Sequence, residues 1–304
     1  MKKSSVLNII LAAFILLLLL KINFQSNSPD KSTGVDDSFK NKSANDITQN
    51  NKITHTHQAW VKLTVSESKR LIAKGLVKYP PVVEKLKSGK IIIARGTTNT
   101  YIAEEIMNDT IVPGAFVTGR ISPAKGKGLK VFRNKISEIV IENGKRKDVA
   151  FTKAMDAANN FDIVLKGANI INYSDKKAAV FVGSPTGGTI GHILPRLKND
   201  RLRLIVPVGL EKNNSANLVD VSNKLHQQLQ NINKKVPGLW LLPGDLFTEI
   251  EAIKQFADVD VFQIGAGGIA GAEGAVVLAI RGEENEVNKA LKIIEEVHGE
   301  PAFK

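Results

Sequence analysis

The sequence predicts an α/β fold: an open, mostly parallel sheet with helices on both faces, behind an N-terminal membrane helix. Three observations carry that expectation. Compact runs of Ile, Val, Leu and Ala recur, each leading into a loop of small residues and then a helical pattern, the repeating unit of a parallel sheet. Aromatic residues make up only 6% of the chain, so the apolar positions suit buried strands flanked by helices. The first residues read as a basic leader, an apolar run and a polar stretch.

Lys2 and Lys3 precede a run from Val6 to Leu20 broken only by Asn8. That run is short for a spanning helix, which needs ~17–25 residues, but it reaches that length at Phe24 if Lys21 snorkels. No small-residue cleavage site follows Leu20, so residues 1–24 read as a signal anchor rather than a cleaved signal, with secretion the outcome if cleavage occurs. Lys2, Lys3 and the amino terminus outweigh Lys21, which places the folded part outside the cytoplasm. Residues 25–57 are rich in Ser, Asn, Asp, Lys and Thr and nearly free of apolar residues. They cannot offset their ordering entropy and read as a disordered tether. His55 and His57 close it without carboxylate partners, so no metal site is expected there.

The rest of the 304-residue chain divides into an α/β domain at 58–210 and a C-terminal α/β part at 211–304. Cysteine is absent, which excludes disulfides, thiolate catalysis and cysteine-held metals. The formal net charge of +12 is dispersed, with its densest clusters at 125–130, 145–147 and 196–203. It suits a solvated surface, a phosphate-bearing ligand or an anionic membrane. No helical basic stripe or aromatic interleaving points to nucleic acid.

In order, residues 59–64 read as a strand and 66–76 as a helix capped by Thr64 or Ser66. Pro80-Pro81 interrupts before a second helix at 82–87. A strand at 90–94 enters the small-residue loop 95–100 and a helix at 101–107. Alternating strands follow from 115 to 149, with Asn143-Gly144 marking a hairpin. Strands at 162–165 and 178–182 lead into Lys166-Gly167-Ala168-Asn169 and the loop 183–189, the latter followed by a helix through 193–197. Strands at 203–208, 239–242, 259–264 and 274–280 alternate with helices at 219–230, 248–257 and 283–298, with Asp245 a cap for the helix at 248–257. The last stretch is consistent with a β-α-β subdomain of ferredoxin-like type.

Three small-residue loops thus follow strands, and in open α/β sheets ligands bind beyond the carboxyl ends of the strands. Loops without large side chains let backbone N–H groups approach a phosphate, and a following helix adds its positive end. The candidate ligand residues are Arg95, Gly96, Thr97, Thr98 and Thr100 in the first loop, Lys166, Gly167 and Asn169 in the second, and Thr186, Gly187, Gly188 and Thr189 in the third. Arg95 and Lys166 are the charges best placed to meet a phosphate. Tight turns packed on helices remain the competing account.

Ala94-Arg95-Gly96-Thr97-Thr98-Asn99 resembles the phosphate loop of the ribose-5-phosphate isomerase, glucosamine-6-phosphate deaminase and CoA-transferase-like superfamily. Lys166-Gly167-Ala168-Asn169 resembles its second motif, Asp-Gly-Ala-Asp, and Gly187-Gly188 sits near its Lys-Gly-Gly loop. The resemblance spans about residues 63–210 and implies a sugar-phosphate or nucleotide site. It departs where the chemistry lies: the isomerase's two acids fall on Lys166 and Asn169, and no lysine occupies the third loop. Neither Lys166 nor Asn169 accepts a proton as a carboxylate does, so isomerase chemistry through these positions is not expected. Glu142-Asn143-Gly144 resembles a motif of the CoA-transferase branch, although its hairpin setting favours a plain turn.

Gly265-Ala266-Gly267-Gly268 precedes a strand rather than a helix, so it reads as a connection and not a dinucleotide loop; no cofactor is expected. The reading is therefore a membrane-anchored protein that binds a small phosphorylated or anionic metabolite. An enzyme of the same fold with a displaced acid, Glu104 or His192, is the alternative, and a structural interaction domain a further one.

Overall fold

A computed structural model describes residues 56–303 except 120, 123, 126–134, 160, 200–201, 228, 231 and 233–235. The expected anchor at 1–24 and the tether up to residue 55 lie outside the described residues. Among the described residues no helix is long and apolar enough to cross a membrane.

The strands are β1 (His57–Leu63), β2 (Lys90–Ile93), β3 (Ile139–Glu142), β4 (Lys145–Lys147), β5 (Ile163–Leu165), β6 (Ile170–Asn172), β7 (Lys177–Val182), β8 (Arg203–Pro207), β9 (Gly238–Leu242), β10 (Asp245–Phe247), β11 (Asp260–Ala266) and β12 (Val276–Gly282). The helices are α1 (Val65–Leu76), α2 (Pro80–Lys87), α3 (Thr97–Met107), α4 (Phe151–Asp156), α5 (Gly188–Asn199), α6 (Leu218–Leu225), α7 (Glu249–Ile253) and α8 (Glu284–Glu295), with a 3-10 turn at Leu210–Lys212.

The six-stranded central sheet has the order β10-β8-β5-β2-β3-β4. Its four strands from β10 to β2 run parallel, and β3 and β4 continue it antiparallel. Ile91–Ile93, Ile163–Leu165 and Leu204–Val206 are buried, as unbroken apolar runs must be when a strand is covered on both faces. The β3–β4 hairpin forms where Asn143-Gly144 predicts it: both residues have positive φ, 50° and 73°, matching the strand twist. One apolar core joins this sheet to Val61 and Leu63 of β1, Leu278 of β12 and Ile294 of α8.

Capping chemistry sets several boundaries. Thr64 caps α1 in a capping box with Glu67, whose carboxylate accepts from the Thr64 N–H at 2.7 Å. Asp245, expected as a cap, lies instead in β10, and Thr248 caps α7 with Glu251. The helix expected at 101–107 starts at Thr97, because Gly96 takes the N-cap position and the threonines form the first turn.

Two expectations fail on strand pairing. β7 does not join the parallel sheet: Lys176, with φ of 51°, closes a tight hairpin from β6, and β7 lies between β6 and β9 in a separate antiparallel sheet. The C-terminal stretch is not a β-α-β unit. β11 and β12 pair antiparallel across the loop 267–275, and β1 pairs on the other side of β12. The Gly265-rich segment thus ends a strand and enters a strand-to-strand connection, as its sequence predicts.

Candidate functional site

The chain leaves β2 to build β3 and β4 on one side, then returns to place β5 on the other. Beyond their carboxyl ends, β2 and β5 therefore flank the crevice where the strand order reverses, the position at which open α/β sheets take ligands. The first two predicted loops lie at its two lips. Backbone pairing carries on past the strands there, from Ala94 N to Leu165 O at 3.0 Å.

Gly96 is the N-cap of α3, and no side chain caps this helix end, which also lacks acidic residues in its first turn. Its φ of 173° is ordinary extended backbone, and a Cβ built there would meet nothing within 4 Å. Gly167 is nearly as open, with only Pro207 O at 3.6 Å. Thr97 is half-buried beside Gly96. Thr98 and Thr100, by contrast, are buried, and the Thr100 hydroxyl donates to Gly96 O at 2.9 Å. They build the turn instead of facing a ligand.

Asn99 was not a candidate in the sequence, yet it holds the crevice together. Its Nδ2 donates to Ala94 O at 2.7 Å and to Leu165 O at 3.1 Å, while the buried Oδ1 has no hydrogen-bond partner.

Charge collects around these loops. Arg95 donates through Nε to Glu138 Oε1 at 3.1 Å, and Thr189 reaches the same oxygen at 3.5 Å. The antiparallel register Ile93↔Ile139 brings Glu138 to the end of β2, so the sequence alone gives no local sign of it. Lys166 donates to Gly167 O at 3.3 Å. Burial, reinforced by repulsion from Lys212 and opposed by Glu138, lowers its ammonium to about 8. Lys212, on the turn after β8, donates to Ala168 O at 2.9 Å and lies 3.9 Å from Glu211. Lys69 of α1, 7% exposed, is likewise lowered to about 8 by burial, with Glu211 opposing and Lys212 adding. Arg95, Lys166, Lys212 and Lys69 thus gather at the carboxyl ends of β2, β5 and β8. Glu211 and Lys212 were not foreseen, although Gly209 directly after the β8 run is the same strand-then-glycine signal used for the first loop.

The remaining candidates lie elsewhere. Asn169 accepts from Phe181 N at 3.0 Å through Oδ1, extending the β6–β7 ladder. The Thr186 hydroxyl pairs with Ser184 at 3.1 Å on an exposed turn. Gly187 and Gly188 have φ of 79° and 53°, and a Cβ on Gly187 would lie 2.8 Å from Gly191 Cα, so packing accounts for these glycines. Glu104 sits two turns into α3, where it accepts from Arg70 at 2.8 Å and Ile111 N at 2.9 Å. His192 is exposed on α5, edge-on to Phe151.

A surface groove of about 490 Å³ lies away from these loops, lined among others by Lys177, Arg203, Leu242 and Asp245. Its Arg203 and Asp245 pair with one another at 2.8 Å. Among the described residues no cluster of His, Asp and Glu suits a metal ion. Comparison of the chain with family models, curated proteins and solved structures finds no match.

Proposed function

We propose that the protein binds a small phosphorylated or otherwise anionic metabolite at the crevice between β2 and β5, without isomerase chemistry. The observation that carries this reading is the convergence of Lys166 and Lys212 on the second loop, where their ammonium groups donate to Gly167 O and Ala168 O and Lys212 repels the buried Lys166. Bringing them together costs free energy that an oxyanion between them would offset. The uncapped start of α3 and the open space over Gly96 supply N–H donors and room for it. Arg95 is the third cation, although Glu138 already holds one of its N–H groups.

Neither acid named in the sequence for an enzyme alternative supports it, because Glu104 belongs to the Arg70 network and His192 has no orienting partner among the described residues. The run from Val6 to Leu20 supports attachment of this binding protein to a membrane with the domain outside. The experiment is calorimetric titration with ribose 5-phosphate, a nucleotide and inorganic phosphate, alongside membrane fractionation of the full-length chain. Binding to none of the three anions would reject the site, and recovery only as a soluble, N-terminally cleaved product would reject the anchor.

A further inference from the structure

Glu249 is fully buried at the start of α7. Both of its oxygens accept from the Leu210 N–H, at 3.0 and 3.3 Å. Glu211 turns back onto the same place. A Cβ built on Gly209 would overlap Glu211 Oε2 and lie 3.1 Å from Glu249 Oε1, so the two carboxyl groups converge on the space a side chain at 209 would fill. Glu211 Oε2 is buried and has no donor. Two ionised carboxylates so placed repel in a site that excludes water. One proton between them removes the repulsion and gives the orphaned oxygen its partner.

The surroundings agree. Burial first, then Glu211, hold the Glu249 carboxyl well above the usual carboxylate range. Ser68 and Lys69 face the pair from α1, and the Leu210 N–H and Lys212 face it from the 3-10 turn. Tyr173 approaches from beyond β6; its hydroxyl donates to Glu251 Oε1 at 2.7 Å, and Lys176 lies 3.5 Å from that oxygen. Lys212 links the pair to the second loop: its ammonium is 3.9 Å from Glu211 Oε1 and 2.9 Å from Ala168 O.

We propose that Glu211 and Glu249 hold one proton between them, and that this proton controls the neighbouring anion site, which fills while the pair is protonated and empties when the proton leaves. This inference rests on the anion-binding reading above. Losing the proton adds a negative charge beside Lys212, which neutralises a cation of the site and repels an incoming anion. Binding an anion therefore takes up protons wherever the pair is partly ionised. Lys166 and Lys69 add to the same direction, since an anion favours their charged forms.

The test uses the full-length protein and inorganic sulfate, which keeps its charge through neutral pH. Calorimetry from about pH 6 to 9, in two buffers of different ionisation enthalpy, reads protons taken up per sulfate. Wild type is expected to lose affinity as pH rises and to take up more protons than Glu249→Gln. That variant imitates the protonated acid: it still accepts from Leu210 N–H and donates to Glu211. Its sulfate affinity at the acid end is expected within about twofold of wild type, equivalent to ~0.4 kcal/mol. Equal pH dependence in both proteins would overturn the inference. Glu211→Gln supplies the same comparison if Glu249→Gln does not fold. Infrared spectroscopy reads the shared proton without any ligand, as a protonated-carboxyl band at neutral pH that Glu249→Gln removes. Sulfate binding without that band would overturn the shared proton alone. The band without sulfate binding at any pH would overturn both the anion site and its control.

Discussion

Asn99 donates from one buried Nδ2 to the carbonyl oxygens of Ala94 and Leu165, so a single carboxamide on α3 joins the carboxyl ends of β2 and β5. The bridge ties the two strand ends together at the points where the two loops proposed to hold an anion begin.

Replacing Asn99 with Ala is expected to lower stability by about 1–3 kcal/mol, since it leaves Ala94 O with one less donor in a buried setting. Urea denaturation would measure the loss. Anion affinity is expected to fall as well, because Gly96 and Gly167 would no longer be held in register. Unchanged stability would mean that the strand ladder alone maintains the crevice.

Lys166→Met tests the electrostatic conflict. Native Lys166 gives up its proton near 8, whereas the unfolded chain holds it to about 10.5. Between those values the unfolded state binds more protons, so this residue makes wild-type stability rise as pH increases from about 8 to 10.5. Removing the buried charge is expected to raise the thermal midpoint at pH 7 in anion-free buffer and to reduce that rise. Sulfate or phosphate is expected to stabilise wild type and to stabilise Lys166→Met much less. One charge-assisted contact is worth ~1.5–3 kcal/mol, a tenfold to hundredfold loss of affinity.

Glu104→Gln separates structural from catalytic roles. Arg70 gathers Glu104, Glu105 and Glu300 within 3.0 Å, and its guanidinium lies 4.5 Å from the Tyr101 ring centroid. Losing one carboxylate from this partly buried hub is expected to cost about 1–3 kcal/mol, read as a lower urea midpoint, with anion affinity unchanged. A loss of affinity at normal stability would return Glu104 to the site.

The first two loops were legible because β2 and β5 are unbroken apolar runs, and such runs end where the chain must leave the sheet. The strand before the third loop pairs differently from expectation for a local reason. Ile170-Ile171-Asn172 is too short to announce a strand, so nothing in the sequence warned that β7 would fold back on it. Glu138 was invisible because it meets Arg95 only through the β2–β3 register. Glu104 reads as close to the loop when the helix is expected to begin at Tyr101. With α3 starting at Thr97, two turns separate Glu104 from Gly96.

Gly96→Val is the sharpest test of the crevice, because the fold makes no demand for glycine at this position. The φ of 173° is available to any residue, and no heavy atom lies within 4 Å of the added Cβ. Stability is expected to change by no more than about 0.5 kcal/mol, as for substitutions that break no contact. The valine methyls would nevertheless stand at the start of α3 and would take the volume proposed for the anion. Affinity for ribose 5-phosphate or phosphate is therefore expected to fall at least tenfold, which is ~1.4 kcal/mol. Gly187→Ala is the contrasting control: with φ of 79° and Gly191 Cα only 2.8 Å from the new Cβ, it is expected to lose more than about 1 kcal/mol of stability. Calorimetric titration and urea melts of both variants separate the two roles of glycine. If Gly96→Val binds like wild type, the open space above α3 is not where the anion sits, and the charges at Lys166 and Lys212 must be answered from another direction.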